Sequence, residues 1–153
     1  KSGIVVKGID DMAVRFSRCC NPVPGDEIVG FITRGRGMSI HRTDCINILH
    51  LPDAERARLI PAEWGKPEGG TEAASYMAEI KIYAQDRQGL LMDMTKVFTE
   101  MTIDVKSMNV RTSKQGTATI EAGFIVNGRD ELGRVIEKLR QLPGILDIER
   151  AVG

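Results

Sequence analysis

The chain has 153 residues, enough for one ordinary domain or two small ones, and sets 21 basic against 21 acidic side chains. That balance gives no global pull toward nucleic acid or an anionic membrane, and no apolar run approaches the roughly 20 residues of a membrane span. Hydrophobic content of 42% suits a globular core, aromatics are sparse at 5%, and three cysteines without a disulfide framework fit a reducing cytoplasm.

The chain opens at Lys1 without a methionine and without the pattern of a secretory signal, and it reads as a segment of a longer protein. In the front block, 1–64, VVKGI is a candidate strand and DMAVRFSRCC is expected to make one or two helical turns. EIVGFITRGRGMSIHR alternates on both sides of Gly35-Arg36-Gly37, which predicts a hairpin. TDCINILHL predicts a short helix with Thr43 as its N-cap and His50 at its end. ARLIPAEW predicts a strand held to a sheet edge by Pro61, which has no N–H to donate. A block this small buries a modest core and often depends on a metal, disulfides or a partner.

GKPEGGTEAAS, residues 65–75, keeps no hydrophobic period and reads as a linker. The pattern then turns regular through 76–153. YMAEIKIYA alternates, with Ala78, Ile80 and Ile82 on one face and Glu79, Lys81 and Tyr83 on the other. GLLMDMTKVFTEM places Leu90, Leu91, Met94, Val97, Phe98 and Met101 on one helical stripe. IDVKSMNVRTS and TATIEAGFIVNG read as strands joined through Lys114-Gln115-Gly116. DELGRVIEKLRQL is a second amphipathic helix ended by Pro143-Gly144, and ILDIERAV closes as a strand. The order βαββαβ predicts an antiparallel sheet with both helices on one face, a ferredoxin-like sandwich, so the chain as a whole is α+β.

Three constellations carry chemistry. Cys19, Cys20, His41 and Cys45 supply three sulfurs and an imidazole, the inventory of a tetrahedral Cys₃His zinc site. Adjacent cysteines diverge along regular backbone, so both reach one ion only across a kink, which Asn21-Pro22 can supply. The competing reading makes the cysteines small core residues. Arg34, Arg36, His41 and Arg42 lie on or beside the glycine-rich hairpin tip, a basic patch suited to phosphate oxygens, against the plainer reading of a solvated turn. Asp86, Arg87, Gln88, Gly89 and Leu90 turn a strand into a helix whose first N–H groups favour a carboxylate, Asp86 being either the cap or the partner of an ammonium. Met108 and Asn109 on the next strand are expected to complete that pocket across a dimer, around a branched-chain amino acid. No serine–histidine–acid set, paired catalytic carboxylates or nucleotide-binding loop is present.

SRCCNPVPGDEIVGFITRGRGMSIHRTDC resembles the domain before the C-terminus of long RelA/SpoT-homologue proteins, the bifunctional (p)ppGpp synthetase/hydrolases. That domain is called zinc-finger, conserved-cysteine or ribosome-intersubunit. YMAEIKIYAQDRQGLLMDMTKVFTEMTIDVKSMNVRTSKQGTATIEAGFIV resembles the ACT domain that ends those proteins. The resemblance implies that Cys19, Cys20, His41 and Cys45 occupy the family's cysteine/histidine positions and hold a structural zinc. It also implies a non-catalytic regulatory fragment (residues 1–64, linker 65–75, ACT domain 76–153) of a cytoplasmic stringent-response enzyme. Its implied partners are large-subunit ribosomal RNA and tRNA, with the ACT domain docking, dimerising or sensing an amino acid. Two alternatives stand beside it: an amino-acid-sensing ACT dimer without RNA contact, and a small zinc hydrolase, which would need an open coordination position and a base.

Overall fold

A computed structural model describes residues 4–6, 13–35, 37–65 and 75–151. These residues form two compact units, the second of them Ser75–Ala151. Most of the expected linker, 66–74, lies outside the described residues.

In the first unit, β1 (Ile4–Val6), β2 (Val14–Phe16), β3 (Ile28–Ile32), β4 (Met38–Arg42) and β5 (Leu59–Trp64) form one sheet in the order β1-β5-β3-β4-β2. Two single-turn helices, α1 (Ile46–Leu49) and α2 (Asp53–Arg56), connect β4 to β5. The predicted hairpin is present: β3 and β4 pair antiparallel from Ile28↔Arg42 to Ile32↔Met38. Its tip closes with the Thr33 N–H on the Gly37 carbonyl at 2.8 Å. Strand alternation then sorts the side chains. Ile28, Met38, Ile40 and Ala62 build an apolar core on one face, with Val14, Phe16 and Trp64 against it. On the other side, Cys20, Cys45 and Ile48 cluster with Cys19, Val29 and Leu59. The sheet is therefore covered with two different chemistries.

Three expectations for this unit are corrected. Val14–Phe16 is a strand rather than helical turns, parallel to β4 with Val14↔Met38 and Phe16↔Ile40. Extended backbone puts Val14 and Phe16 together on the core face, where Phe16 stacks on Trp64 with ring centroids 5.5 Å apart. Helix α1 starts after Cys45, not Thr43, because the chain is still turning out of β4 there, with the Cys45 N–H on the Arg42 carbonyl at 3.1 Å. Strand β5 lies inside the sheet, between β1 and β3, despite Pro61. The Ile32 N–H bonds the Arg58 carbonyl, which fixes positions 58, 60 and 62 as the ones that face β3. Pro61 thus turns its nitrogen to the other side, one residue past the last β1 pair, Val6↔Ala62.

The second unit is the predicted βαββαβ. Its elements are β6 (Tyr76–Gln85), α3 (Leu90–Glu100), β7 (Val105–Thr112), β8 (Thr117–Val126), α4 (Arg129–Arg140) and β9 (Ile145–Arg150). The sheet order is β7-β8-β6-β9 and each neighbouring pair is antiparallel, a ferredoxin-like arrangement. Ala78, Ile80, Ile82 and Ala84 of β6 meet Leu90, Met94, Val97 and Phe98 of α3 and Leu132, Val135 and Leu139 of α4 in the core. Phe98 packs on Phe124 of β8 at 5.3 Å between centroids. Leu91 departs from the expected stripe and stays 42% exposed, because it sits about 100° around the helix from Leu90. Gly89, at φ 81°, occupies the N-cap position of α3 without a side-chain cap, so Asp86 does not cap the helix.

Candidate metal centre

The site forms where one turn, one helix start and one strand meet on the cysteine-bearing side of the first unit. Arg18–Cys20 is a turn closed by the Asn21 N–H on the Ser17 carbonyl at 3.1 Å, and Asn21 takes a left-handed φ of 47°. That backbone reversal lets both neighbouring cysteines face one point, the kink expected from Asn21-Pro22. Cys45 enters from the N-cap of α1, and His41 enters from β4.

Cys19 Sγ is 3.4 Å from Cys45 Sγ, 3.4 Å from His41 Nδ1 and 4.0 Å from Cys20 Sγ, and Cys20 Sγ is 3.9 Å from His41 Nδ1. All four ligand atoms lie within 4.8 Å of one another. A tetrahedral ion with Zn–S of about 2.3 Å and Zn–N of about 2.0–2.1 Å has edges of about 3.8 Å between sulfurs and about 3.6 Å between sulfur and nitrogen. These four separations bracket those edges, and the set as a whole spans up to 4.8 Å. The donors are therefore gathered around one point and fit a zinc ion that draws the widest edge in.

Hydrogen bonds reach Cys19, Cys20 and His41 from outside. Ser17 Oγ is 2.8 Å from Cys19 Sγ, the Arg42 N–H points at Cys20 Sγ at 3.3 Å, and Ser39 Oγ is 3.0 Å from His41 Nε2. Burial raises the Cys19 thiol, but hydrogen bonds with the Ser17, Asn47, Cys45 and Cys20 side chains together more than offset it and leave Cys19 below the ordinary thiol value. Burial pushes Cys20 and Cys45 up, and burial lowers His41, which keeps its imidazole neutral, the form that binds metal. Ser17, Ser39 and Asn47 escaped the sequence reading. Only the period-two spacing of Ser39 from His41 pointed to any of them.

Comparison with known proteins bears on both units. The RelA/SpoT RIS domain family matches residues 4–65, and the ACT domain family matches residues 72–150. The chain belongs to the RelA/SpoT family. It is 38% identical over 148 residues to the GTP pyrophosphokinase of Streptomyces coelicolor, a match that covers 97% of this chain and 17% of that protein. It is also 38% identical over 151 residues to the GTP pyrophosphokinase of Escherichia coli K12, covering 98% of this chain and 20% of that protein. The chain thus spans about a fifth of those relatives, corresponding to their C-terminal regulatory part. A crystal structure of the ACT domain from GTP pyrophosphokinase of Chlorobium tepidum covers 50% of this chain and 99% of its own, at 25% identity and a TM-score of 0.46. Among the described residues, no helix is long and apolar enough to cross a membrane.

The basic patch of the RIS domain is divided by the fold. Arg34 is exposed at the hairpin tip and pairs with Glu55 at 3.4 Å, beside Arg58, which bonds the same carboxylate at 3.0 Å. Arg36 lies outside the described residues. His41 belongs to the metal centre. Arg42 is buried: its guanidinium holds the Cys20 carbonyl at 3.2 Å and Asp44 at 2.6 Å, so it braces the cysteine turn and does not join Arg34 at the surface.

In the ACT domain the turn residues divide too. Arg87 is a brace, bonding the Pro143 carbonyl at 2.8 Å, Asp93 at 2.7 Å and the Gln88 carbonyl at 3.3 Å. Asp86 is exposed, and its N–H bonds the Gly116 carbonyl at 2.9 Å. Met108 and Asn109 lie on β7, separated from β6 by β8, and Asn109 pairs with Glu121, four positions along β8 from the Thr117 that faces Gln85. One copy of the chain therefore does not bring Asn109 to the turn. Strand β7 is an outer strand of this sheet.

Proposed function

We propose that this RIS–ACT region is the non-catalytic regulator of a cytoplasmic stringent-response GTP pyrophosphokinase, its RIS domain held by a structural zinc and docking on ribosomal RNA and tRNA. The observation that carries the reading is the Cys₃His cluster, whose four ligand atoms lie within 4.8 Å of one another. Four protein ligands close the coordination sphere, which is the plan of a structural site, whereas catalytic zinc keeps a position open for water. A small zinc hydrolase is disfavoured on that ground. Zinc, when bound, ties the Cys19-Cys20 turn to β4 and α1 across the sheet and so sets the frame that carries the β3–β4 tip. Exposed Arg34 on that tip is the phosphate-facing group of the docking surface, with Arg36 beside it in sequence.

A second reading has its own support. The Gly89 N-cap leaves the first N–H groups of α3 without a side-chain acceptor, beside the exposed Asp86 carboxylate. This geometry suits an amino acid, its carboxylate on the helix start and its ammonium on Asp86, completed by Met108 and Asn109 of a second copy. Calorimetry with valine, isoleucine and leucine tests it. Millimolar ligand without heat or thermal shift would leave the ACT domain a docking module.

Ribosome binding of the full-length protein across a salt series tests the main reading. Removing one cation that neutralises a phosphate should flatten the log–log salt slope by about 0.7, so Arg34→Ala lowers both affinity and slope. Unchanged affinity and slope would return the tip to a solvated turn.

A further inference from the structure

Strand β4 offers a different chemistry on each face. Met38 and Ile40 are fully buried in the apolar core. Ser39 and His41 alternate with them and meet on the opposite face, Ser39 Oγ lying 3.0 Å from His41 Nε2. His41 Nδ1, in contrast, lies 3.4 Å from Cys19 Sγ and 3.9 Å from Cys20 Sγ. The two ring nitrogens therefore have separate tasks, one toward sulfur and one toward a hydroxyl.

A neutral imidazole carries one N–H and one lone pair, and the partner of one nitrogen decides which is which. A serine hydroxyl can accept or donate, so Ser39 alone leaves the direction open. The cluster decides it. A ligating Nδ1 must offer its lone pair, which places the proton on Nε2, and Ser39 Oγ then accepts it. Ser39 is itself 7% exposed, so water has little access to replace that acceptor. On β3 the cross-strand neighbours are Phe31 for Ser39 and Val29 for His41, both apolar, while on β2 Ser39 is paired with the exposed Arg15.

We propose that Ser39 is a positioning residue of the metal centre, its Oγ accepting the His41 Nε2–H and thereby holding the imidazole in the tautomer and orientation whose Nδ1 ligates. The inference rests on the zinc reading above and adds to it a group that touches no metal. Acceptors behind a ligating histidine tune metal affinity by about 10- to 100-fold. A hydroxyl that merely filled space would tune nothing.

The test uses the whole chain and zinc ion alone. Zinc competition against a chromophoric chelator should show Ser39→Ala binding one ion about 10- to 100-fold more weakly than wild type, with Ser39→Thr restoring the affinity because it returns the hydroxyl. Nitrogen-15 spectra of the zinc-loaded wild type should show His41 protonated at Nε2 and metal-bound at Nδ1. Equal affinity in Ser39→Ala, or a His41 bound through Nε2, would overturn the role of Ser39 while leaving the zinc site in place. A wild type that takes up no zinc would remove the centre and this proposal together. The nitrogen spectra need no variant, so a His41 bound through Nε2 would overturn the proposal even if Ser39→Ala does not fold.

Discussion

At the scale of residues, the candidate metal centre is gathered with two of its thiols protonated. Burial raises the Cys20 and Cys45 thiols, so both hold their protons near neutral pH until an ion displaces them. Metal ligands must be deprotonated to bind, so zinc uptake should release about two protons or more per ion, and affinity should fall about 100-fold or more for each pH unit lowered between pH 8 and 7. Competition titrations at several pH values check this, and a pH-independent affinity would contradict it. Two glycines at the hairpin tip make a second residue-scale prediction. Gly35 and Gly37 both take positive φ, yet a Cβ on Gly35 meets open space whereas one on Gly37 runs into the Ala13 carbonyl. Gly37→Ala should cost about 1–3 kcal/mol of RIS-domain stability and Gly35→Ala distinctly less, as read from denaturant midpoints. Arg42 marks the limit of sequence reading at this scale. Beside Arg34 in a basic stretch it looked like a surface group, but the strand end turns it inward onto the Cys20 carbonyl and Asp44. Spacing predicts which side chains lie near one another in sequence, and only the fold decides which of them reach water.

At the scale of elements, the two units differ in how far they were legible, and the cause is length. In the ACT domain the strands run 6 to 10 residues and the helices 11 and 12, long enough for the 2.0 and 3.6 periods to separate. The RIS strands run 3 to 6 residues and its helices a single turn. Val14–Phe16 is too short to announce a period, and its parallel pairing with β4 depends on residues far away in sequence. Pro61 misled because its effect depends on which neighbour its missing N–H faces. The helical stripe of α3 was read correctly except at its edge, and that edge supplies a prediction. Phe98→Ala should destabilise the ACT domain by about 3–5 kcal/mol, since the ring is buried against Phe124. Leu91→Ala, at an exposed position, should stay within about 0.5 kcal/mol. Thermal or chemical unfolding of the two variants separates them, and equal losses would place Leu91 in the core after all.

At the scale of the whole molecule, the chain joins a unit that closes its core by regular packing to one that gathers four side chains able to hold an ion. The ACT domain seats long amphipathic elements on a four-stranded sheet. The RIS domain has one-turn helices beside its sheet and places Cys45 where the first of them begins and Cys19 and Cys20 in the turn after β2. Stability should therefore divide along the same line. An ion bound only by the folded state adds roughly 2.7 kcal/mol at a free concentration 100 times its dissociation constant, so chelation should lower the stability of the RIS domain and leave that of the ACT domain unchanged. Hydrogen exchange with and without chelator checks this, and a loss of protection shared equally by both domains would contradict it. The central claim is the identity of the ion and its four ligands, and zinc K-edge X-ray absorption on protein purified without chelator tests it most directly. The account predicts one zinc per chain with three sulfurs at about 2.3 Å and one nitrogen at about 2.0–2.1 Å, and loss of that pattern in Cys45→Ser. A folded RIS domain with no zinc, or a zinc shell of oxygens in place of sulfurs, would contradict it.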